Sequence, residues 1–119
     1  MQHSEEFLNL VNEAKKQTVE ISVMETLQKI KNGAHLIDVR EDNEWNDGHA
    51  KDAIHLGRGI LERDIVNRFP DKAEELVLYC GGGFRSALSA DNLKKMGYNK
   101  VYSMEGGWKA WKESGAPIE

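Results

Sequence analysis

The residue with the clearest potential for chemistry is Cys80, the chain's single cysteine. It follows the apolar run at residues 76–79 and precedes Gly81, Gly82 and Gly83, after which a helical pattern begins. This order of strand, cysteine, glycines and helix predicts a loop whose backbone N–H groups and helix N-terminus point toward one sulfur atom. Such a loop holds an anion, so the pattern indicates a cysteine that works as a thiolate or carries an anionic group.

The glycine loop offers a physical means of keeping that sulfur ionised. A free cysteine has a pKa of about 8.5, so only a few per cent of it is thiolate at neutral pH. A helix dipole stabilises an anion by about 0.3–1 kcal/mol, whereas each hydrogen bond to a charged acceptor contributes about 1.5–3 kcal/mol. Because glycine has no Cβ, several N–H groups of the loop can approach the sulfur closely, and Arg85 adds a permanent positive charge.

A structural interpretation of the same residues stays open. In that interpretation the glycines only connect a strand to a helix, and Cys80 packs as a small hydrophobic side chain. The strand before the loop, the helix after it and the nearby Arg85 together favour a catalytic cysteine.

The elements that must position this loop alternate between strand and helix patterns. Short apolar runs predict strands at residues 18–21, 35–39, 53–56, 76–79 and 101–103. Helical spacing and capping residues predict helices at residues 4–16, 22–33, around 45, 60–69, 85–96 and 106–111. This alternation predicts a single α/β domain with a mostly parallel sheet and helices on both faces. Ligands of such sheets lie beyond the carboxyl ends of the strands, which is where Cys80 falls.

Composition argues against several classes of function. The 119 residues carry a formal net charge of −4, which does not favour nucleic acid or an acidic membrane as partner. No apolar run approaches the roughly 20 residues of a membrane span. One cysteine cannot form an intramolecular disulfide, and residues 1–6 lack the pattern of a secretory signal, so we expect a reducing, cytoplasmic setting. The four histidines lack metal-ligand spacing, and we expect neither a metal nor a cofactor.

An ordered set of motifs resembles the single-domain rhodaneses, a family of sulfurtransferases. The motifs span about residues 18–116 and are, in chain order, Leu36-Ile37-Asp38-Val39-Arg40-Glu41, Glu44-Trp45, Gly48-His49-Ala50, Ala53-Ile54-His55-Leu56, the loop from Cys80 to Ser86, and Glu105-Gly106-Gly107-Trp108 with Trp111. Each motif is modest alone, and their order is specific. The resemblance implies a rhodanese-like α/β fold with a five-stranded sheet, in a domain of residues 18–119 after a helical extension over residues 1–17.

The resemblance also implies a mechanism centred on Cys80. The cysteine takes sulfane sulfur from a small anionic donor such as thiosulfate, holds it as a persulfide and passes it to cyanide, a thiol or a protein. The backbone amides that would cradle the outer sulfur belong to the loop residues Gly81, Gly82, Gly83, Phe84, Arg85 and Ser86. Arg85 would assist the anionic donor.

Two other functions stay open. Cysteine phosphatases and arsenate reductases use a similar loop, but the phosphatases typically place five residues between the cysteine and the arginine, often with a histidine before the cysteine. Here four residues separate Cys80 from Arg85, and Tyr79 precedes the cysteine. A non-catalytic module of the same fold would bind a partner or sense persulfide. Loss of the cysteine usually marks such modules, and the N-terminal helix would be a candidate docking element.

Three side chains outside the loop are candidates for secondary roles. Arg58 lies between two glycines after a predicted strand and is a candidate for recruiting an anion. Arg40 follows a predicted strand and is expected to pair with a carboxylate such as Glu44 rather than with substrate. Trp108 follows a glycine pair and is a candidate for the border of the pocket.

Overall fold

A five-stranded parallel sheet forms the centre of the computed structural model, which describes residues 3–119. The strands are, along the chain, β1 (Val19–Ile21), β2 (His35–Asp38), β3 (Ile54–His55), β4 (Glu75–Tyr79) and β5 (Lys100–Met104). They lie in the order β1-β5-β4-β2-β3, and every neighbouring pair is parallel. The predicted fold class is confirmed, and the sheet is parallel throughout.

Six helices lie within residues 3–119. They are α1 (Glu5–Gln17), α2 (Val23–Lys31), α3 (Asp42–Asn46), α4 (Arg58–Arg68), α5 (Phe84–Lys95) and α6 (Gly107–Glu113). The two predicted N-caps are confirmed. Ser4 accepts the Phe7 N–H at 3.1 Å, and Ser22 and Glu25 form a reciprocal capping box at 3.1 and 3.0 Å. None of the helices in this part of the chain is long and apolar enough to cross a membrane.

Alternate side chains of β4 fill two cores, one on each face of the sheet. Leu76 and Leu78 pack with α4 and α5, and Cys80 continues this row. Val77 and Tyr79 point to the other face, where they pack with α2 and α6. A strand buried on both faces reads as a continuous apolar run, which is why β4 is so clear in the sequence.

Helix α1 packs against α5 near the Cys80 loop. Its Val11 and Ala14 are buried against Leu88, and Phe7 packs against Phe84 on the same cluster. The helix therefore covers apolar surface of α5. The division into an extension at residues 1–17 and a domain at 18–119 stays a prediction.

Candidate active site

Cys80 lies immediately after β4, at the carboxyl edge of the sheet, and only 1% of it is exposed. The chain turns through Gly83, whose φ of 98° is in the left-handed region, and α5 begins at the next residue. An added Cβ at Gly83 would lie 3.4 Å from the Gly106 backbone nitrogen. Glycine is therefore suited to this position by conformation and by space.

Two groups of the loop lie within hydrogen-bond reach of the sulfur. The Gly83 N–H donates to Cys80 Sγ at 3.1 Å, and Ser86 Oγ lies 3.5 Å from it. The Ser86 hydroxyl in turn lies 2.8 Å from the hydroxyl of Ser103, and both serines are fully buried. The structure thus brings one predicted N–H group and the Ser86 hydroxyl to the sulfur, and the Ser103 hydroxyl lies behind that of Ser86.

The carbonyl side of the loop is held by the N-terminus of α6. The Trp108 N–H donates to the Cys80 carbonyl at 2.7 Å, and the Lys109 N–H donates to that of Gly81 at 3.2 Å. A Cβ at Gly107, which has a φ of 54°, would lie 2.3 Å from the Cys80 carbonyl oxygen. The late glycine motif therefore allows close backbone contact with the cysteine loop. The Trp108 ring lies over the Arg40 guanidinium, 4.8 Å from ring centroid to Cζ.

Arg85 forms a two-bond ion pair with Glu44 beside the sulfur. Its Nη1 and Nη2 donate to the two carboxylate oxygens of Glu44 at 2.8 and 3.1 Å. The hydrogen bonds from Arg85 hold the pKa of Glu44 below its ordinary value, and the same bonds raise the pKa of Arg85. The positive charge that the sequence places near Cys80 is therefore balanced by a carboxylate.

Arg40 pairs with a carboxylate, as expected, but this carboxylate is Asp38 and not Glu44. The Arg40 Nη2 donates to Asp38 Oδ2 at 2.8 Å and to the Gly48 carbonyl at 2.7 Å. The exposed fractions of the Arg40 and Asp38 side chains are 3% and 0%. Side chains two positions apart along an extended segment share a face, so Asp38 is the nearer carboxylate for Arg40. Glu44 is left to Arg85.

A cavity of about 470 Å³ opens beside Cys80. Its lining comes from the N-terminal residues before α1, from α1 and α3, and from the loop. It consists of His3, Phe7, Glu44, Cys80, Gly82, Phe84 and Arg85. The ring centroids of His3 and Phe7 lie 4.8 and 6.3 Å from that of Phe84. The N-terminal segment thus supplies one aromatic wall of this cavity, a contribution that the sequence did not predict.

Arg58 lies apart from this cavity. It is the first residue of α4 and lines a different cavity of about 350 Å³, together with Glu13 of α1 and Asp91 of α5. The structure therefore does not bring Arg58 together with Cys80, and its suggested part in anion recruitment gains no support from its position. Within residues 3–119, no three His, Cys, Asp or Glu side chains are grouped as metal ligands.

Sequence reasoning missed Ser103 and the hydroxyl role of Ser86. Ser103 carries a signal that points to it, since it is a polar residue inside the apolar run of β5. Ser86 was assigned only through its backbone amide. The Arg85–Glu44 pair joins residues 41 positions apart and has no local signature.

Residues 22–114 match the family model described as a rhodanese-like domain. The chain is 35% identical over 104 residues to the thiosulfate sulfurtransferase GlpE of Actinobacillus pleuropneumoniae serotype 7, a match that covers 84% of this chain and 92% of that relative. A protein of the same name from Vibrio cholerae is 35% identical over 89 residues, covering 72% of this chain and 79% of that relative.

Two solved structures resemble nearly the whole chain. The polysulfide-sulfur transferase homodimer of Wolinella succinogenes superposes with a TM-score of 0.83 at 29% identity, covering 96% of this chain and 87% of that chain. A Rhodopseudomonas palustris protein of unknown function, described as a possible tyrosine phosphatase, has a TM-score of 0.83 at 28% identity. That match covers 100% of this chain and 98% of that one, so it includes α1.

Proposed function

The chain belongs to the rhodanese-like domain family, and we propose that it is a thiosulfate sulfurtransferase that works through a persulfide on Cys80. The observation that carries the proposal is the position of the sulfur. It lies at the carboxyl edge of a parallel sheet, receives the Gly83 N–H at 3.1 Å and borders a cavity of about 470 Å³. Sulfurtransferase activity is also what the names of the relatives indicate for those proteins.

The proposed reaction has two displacements at sulfur. The Cys80 thiolate attacks the outer sulfur of thiosulfate, a new S–S bond forms, the old S–S bond breaks and sulfite leaves with the bonding electron pair. The acceptor then attacks the outer sulfur of the persulfide, and the Cys80 thiolate is released. With cyanide as acceptor the product is thiocyanate, and the two half-reactions predict ping-pong kinetics. No proton transfer is needed if both sulfur species stay ionised.

The loop supplies what these steps demand. The negative charge lies on Cys80 Sγ in the thiolate and on the outer sulfur in the persulfide. A fixed N–H donor such as that of Gly83 stabilises the thiolate that attacks the donor and that the acceptor later releases. The amides of Gly82 and Phe84 are proposed to contact the outer sulfur, because both residues line the cavity into which it would project. The same loop therefore binds the outer sulfur when it arrives from the donor and when it leaves to the acceptor.

The natural acceptor is proposed to be a thiol or a protein, and the setting to be the reducing cytoplasm. This chain has one cysteine, so no second thiol on it can resolve the persulfide. The outer sulfur must therefore be transferred to another molecule, and the persulfide must not be oxidised before that transfer.

The direct test is the intact mass of the protein after incubation with thiosulfate. We expect one added sulfur atom, and we expect cyanide to remove it with release of an equal amount of thiocyanate. Protein alkylated at Cys80 beforehand is the control and should gain no sulfur. Absence of both the adduct and thiocyanate would overturn the proposal, and hydrolysis of a phosphate ester at Cys80 would point to a phosphatase instead.

The Arg85–Glu44 pair predicts opposite effects of two substitutions on thiosulfate use. Arg85→Ala leaves the Glu44 carboxylate alone in the cavity, where it repels a dianion, so we expect KM for thiosulfate to rise about tenfold. Glu44→Gln leaves Arg85 without its counter-charge, so we expect KM to fall about threefold.

Alkylation by neutral iodoacetamide is the matched measurement for these two variants. Its rate depends on the Cys80 sulfur and not on binding of an anion, so it should change less than KM for thiosulfate in both cases. Changes of the same sign in both variants would show that the pair acts through the shape of the loop rather than through charge.

A further inference from the structure

Three buried groups form a continuous chain behind the catalytic loop. Cys80 Sγ lies 3.5 Å from Ser86 Oγ, which lies 2.8 Å from Ser103 Oγ. Ser86 and Ser103 are both 0% exposed, so water does not screen them. A buried hydroxyl without a partner is costly, and here each serine supplies the partner that the other needs.

The sheet places Ser103 at this position. Strand β5 runs parallel to β4 with Ser103 in register with Leu78, two residues before Cys80. Alternate residues of a strand share a face, so Ser103 stands on the face of β4 that carries Leu78 and Cys80. Helix α5 covers this face, and its first turn brings Ser86 between the two. Ser103 therefore reaches Cys80 only through Ser86.

The orientation of the hydroxyls depends on the charge of the sulfur. Each serine hydroxyl has one hydrogen to donate and lone pairs to accept. When Cys80 is a thiolate it can only accept, so Ser86 donates to the sulfur and Ser103 donates to Ser86. When Cys80 is a thiol, its S–H can donate to Ser86, and Ser86 then donates to Ser103. In the thiol state both hydroxyls are reversed, and the buried Ser103 O–H then has no acceptor among the hydrogen bonds within residues 3–119.

We propose that Ser103 is a positioning residue that favours the ionised sulfur of Cys80 by polarising the Ser86 hydroxyl. Two aligned O–H dipoles point at the thiolate, and hydrogen bonds in such a chain strengthen one another where the local dielectric is low. The hydrogen bond from Ser86 to the thiolate is one to an ion and is about twice as strong as one between neutral groups. Removing Ser103 weakens that bond through Ser86, so the loss costs the thiolate more than the thiol. This role of Ser103 rests on the proposed function, since a sulfur carrier needs its cysteine ionised at neutral pH.

The test is the pH profile of Cys80 alkylation by iodoacetamide, which needs no sulfur donor. For Ser103→Ala we expect the midpoint of the profile to move up by about half a pH unit, so that the rate at a fixed pH well below the midpoint falls about threefold. Ser86→Ala, which removes the direct donor, should shift it by about one unit and lower that rate about tenfold. At high pH Cys80 is fully ionised in every variant, so the rates should differ less there than they do below the midpoint.

Ser89→Ala is the matched control. Ser89 is a buried serine on the same helix whose hydroxyl has no partner within residues 3–119, so its removal should leave the profile unchanged. Ser103→Thr keeps the hydroxyl and should follow the wild-type profile. The titratable side chains that line the cavity beside Cys80 are Arg85, Glu44 and His3, and they are the same in every variant.

The proposal is overturned if the Ser103→Ala profile coincides with that of the wild type. It is also overturned if this variant alkylates more slowly by the same factor at every pH, since that result indicates a purely structural role. Both outcomes can occur while the protein still forms a persulfide, so the inference and the proposed function can fail independently.

Discussion

Replacing Cys80 with serine is expected to reduce thiosulfate-dependent thiocyanate formation to the background rate. A serine hydroxyl stays protonated at neutral pH, and its oxygen cannot carry sulfane sulfur as a persulfide, so both half-reactions are lost. The fold should survive, because the smaller hydroxyl can still accept the Gly83 N–H and contact Ser86. We therefore expect a stability loss of only about 1 kcal/mol, measured by urea unfolding.

The matched control for Cys80→Ser is Ser89→Ala, which changes a buried side chain nearby without touching the sulfur. It should retain full activity. Residual activity of Cys80→Ser above that of protein-free solution would contradict the assignment of the nucleophile. Retained function of Cys80→Ser in cells, together with complete loss of turnover in vitro, would favour the binding module over the enzyme.

The fold was predictable because its signals are local. Strand β4 is buried on both faces and appears as an unbroken apolar run, and the Ser22–Glu25 capping box marks the start of α2 within four residues of sequence. Alternation of such signals requires a parallel sheet, since each helix must cross over between strands. The position of Cys80 at a strand end followed from the same local pattern.

The partners of the two arginines differ in how far the sequence could predict them. Asp38 lies two positions from Arg40, so their pairing follows from the local spacing, although Glu44 was the carboxylate named for Arg40. The pairing of Arg85 with Glu44 depends on how the segment after β2 folds back against α5, which no local pattern records. Strand register was also not predictable from local sequence. Ser103 lies near the site only because β5 pairs with β4 in this register.

The second large effect concerns stability rather than catalysis. Asp38 and Arg40 form a buried ion pair under the carboxyl edge of the sheet, and Arg40 Nη2 also donates to the Gly48 carbonyl at 2.7 Å. Nearby, the Tyr79 hydroxyl accepts the Ala50 N–H at 3.1 Å, and burial raises the pKa of Tyr79. The pair therefore joins the end of β2 to the segment that leads into β3.

Asp38→Asn is expected to destabilise the protein by about 3–5 kcal/mol, because it leaves the Arg40 charge buried without a counter-ion. For a domain of this size that loss corresponds to a fall in Tm of about 15 °C or more, measured by differential scanning calorimetry. Glu13→Gln is the control. It removes one charge from the exposed Glu13–Lys16 pair, whose side chains are 70% and 66% exposed, and should change Tm by only a few degrees.

A double variant separates the loss of the pair from the cost of an unpaired charge. Asp38→Asn combined with Arg40→Met removes both charges, so it should recover part of the stability that Asp38→Asn loses. The double variant could instead be less stable than Asp38→Asn. The hydrogen bond from Arg40 to the Gly48 carbonyl would then contribute more to the free energy of unfolding than the attraction between the Asp38 and Arg40 charges. Arg40 would then stabilise the protein mainly by fixing the position of the segment after α3 through this hydrogen bond, and less through its charge.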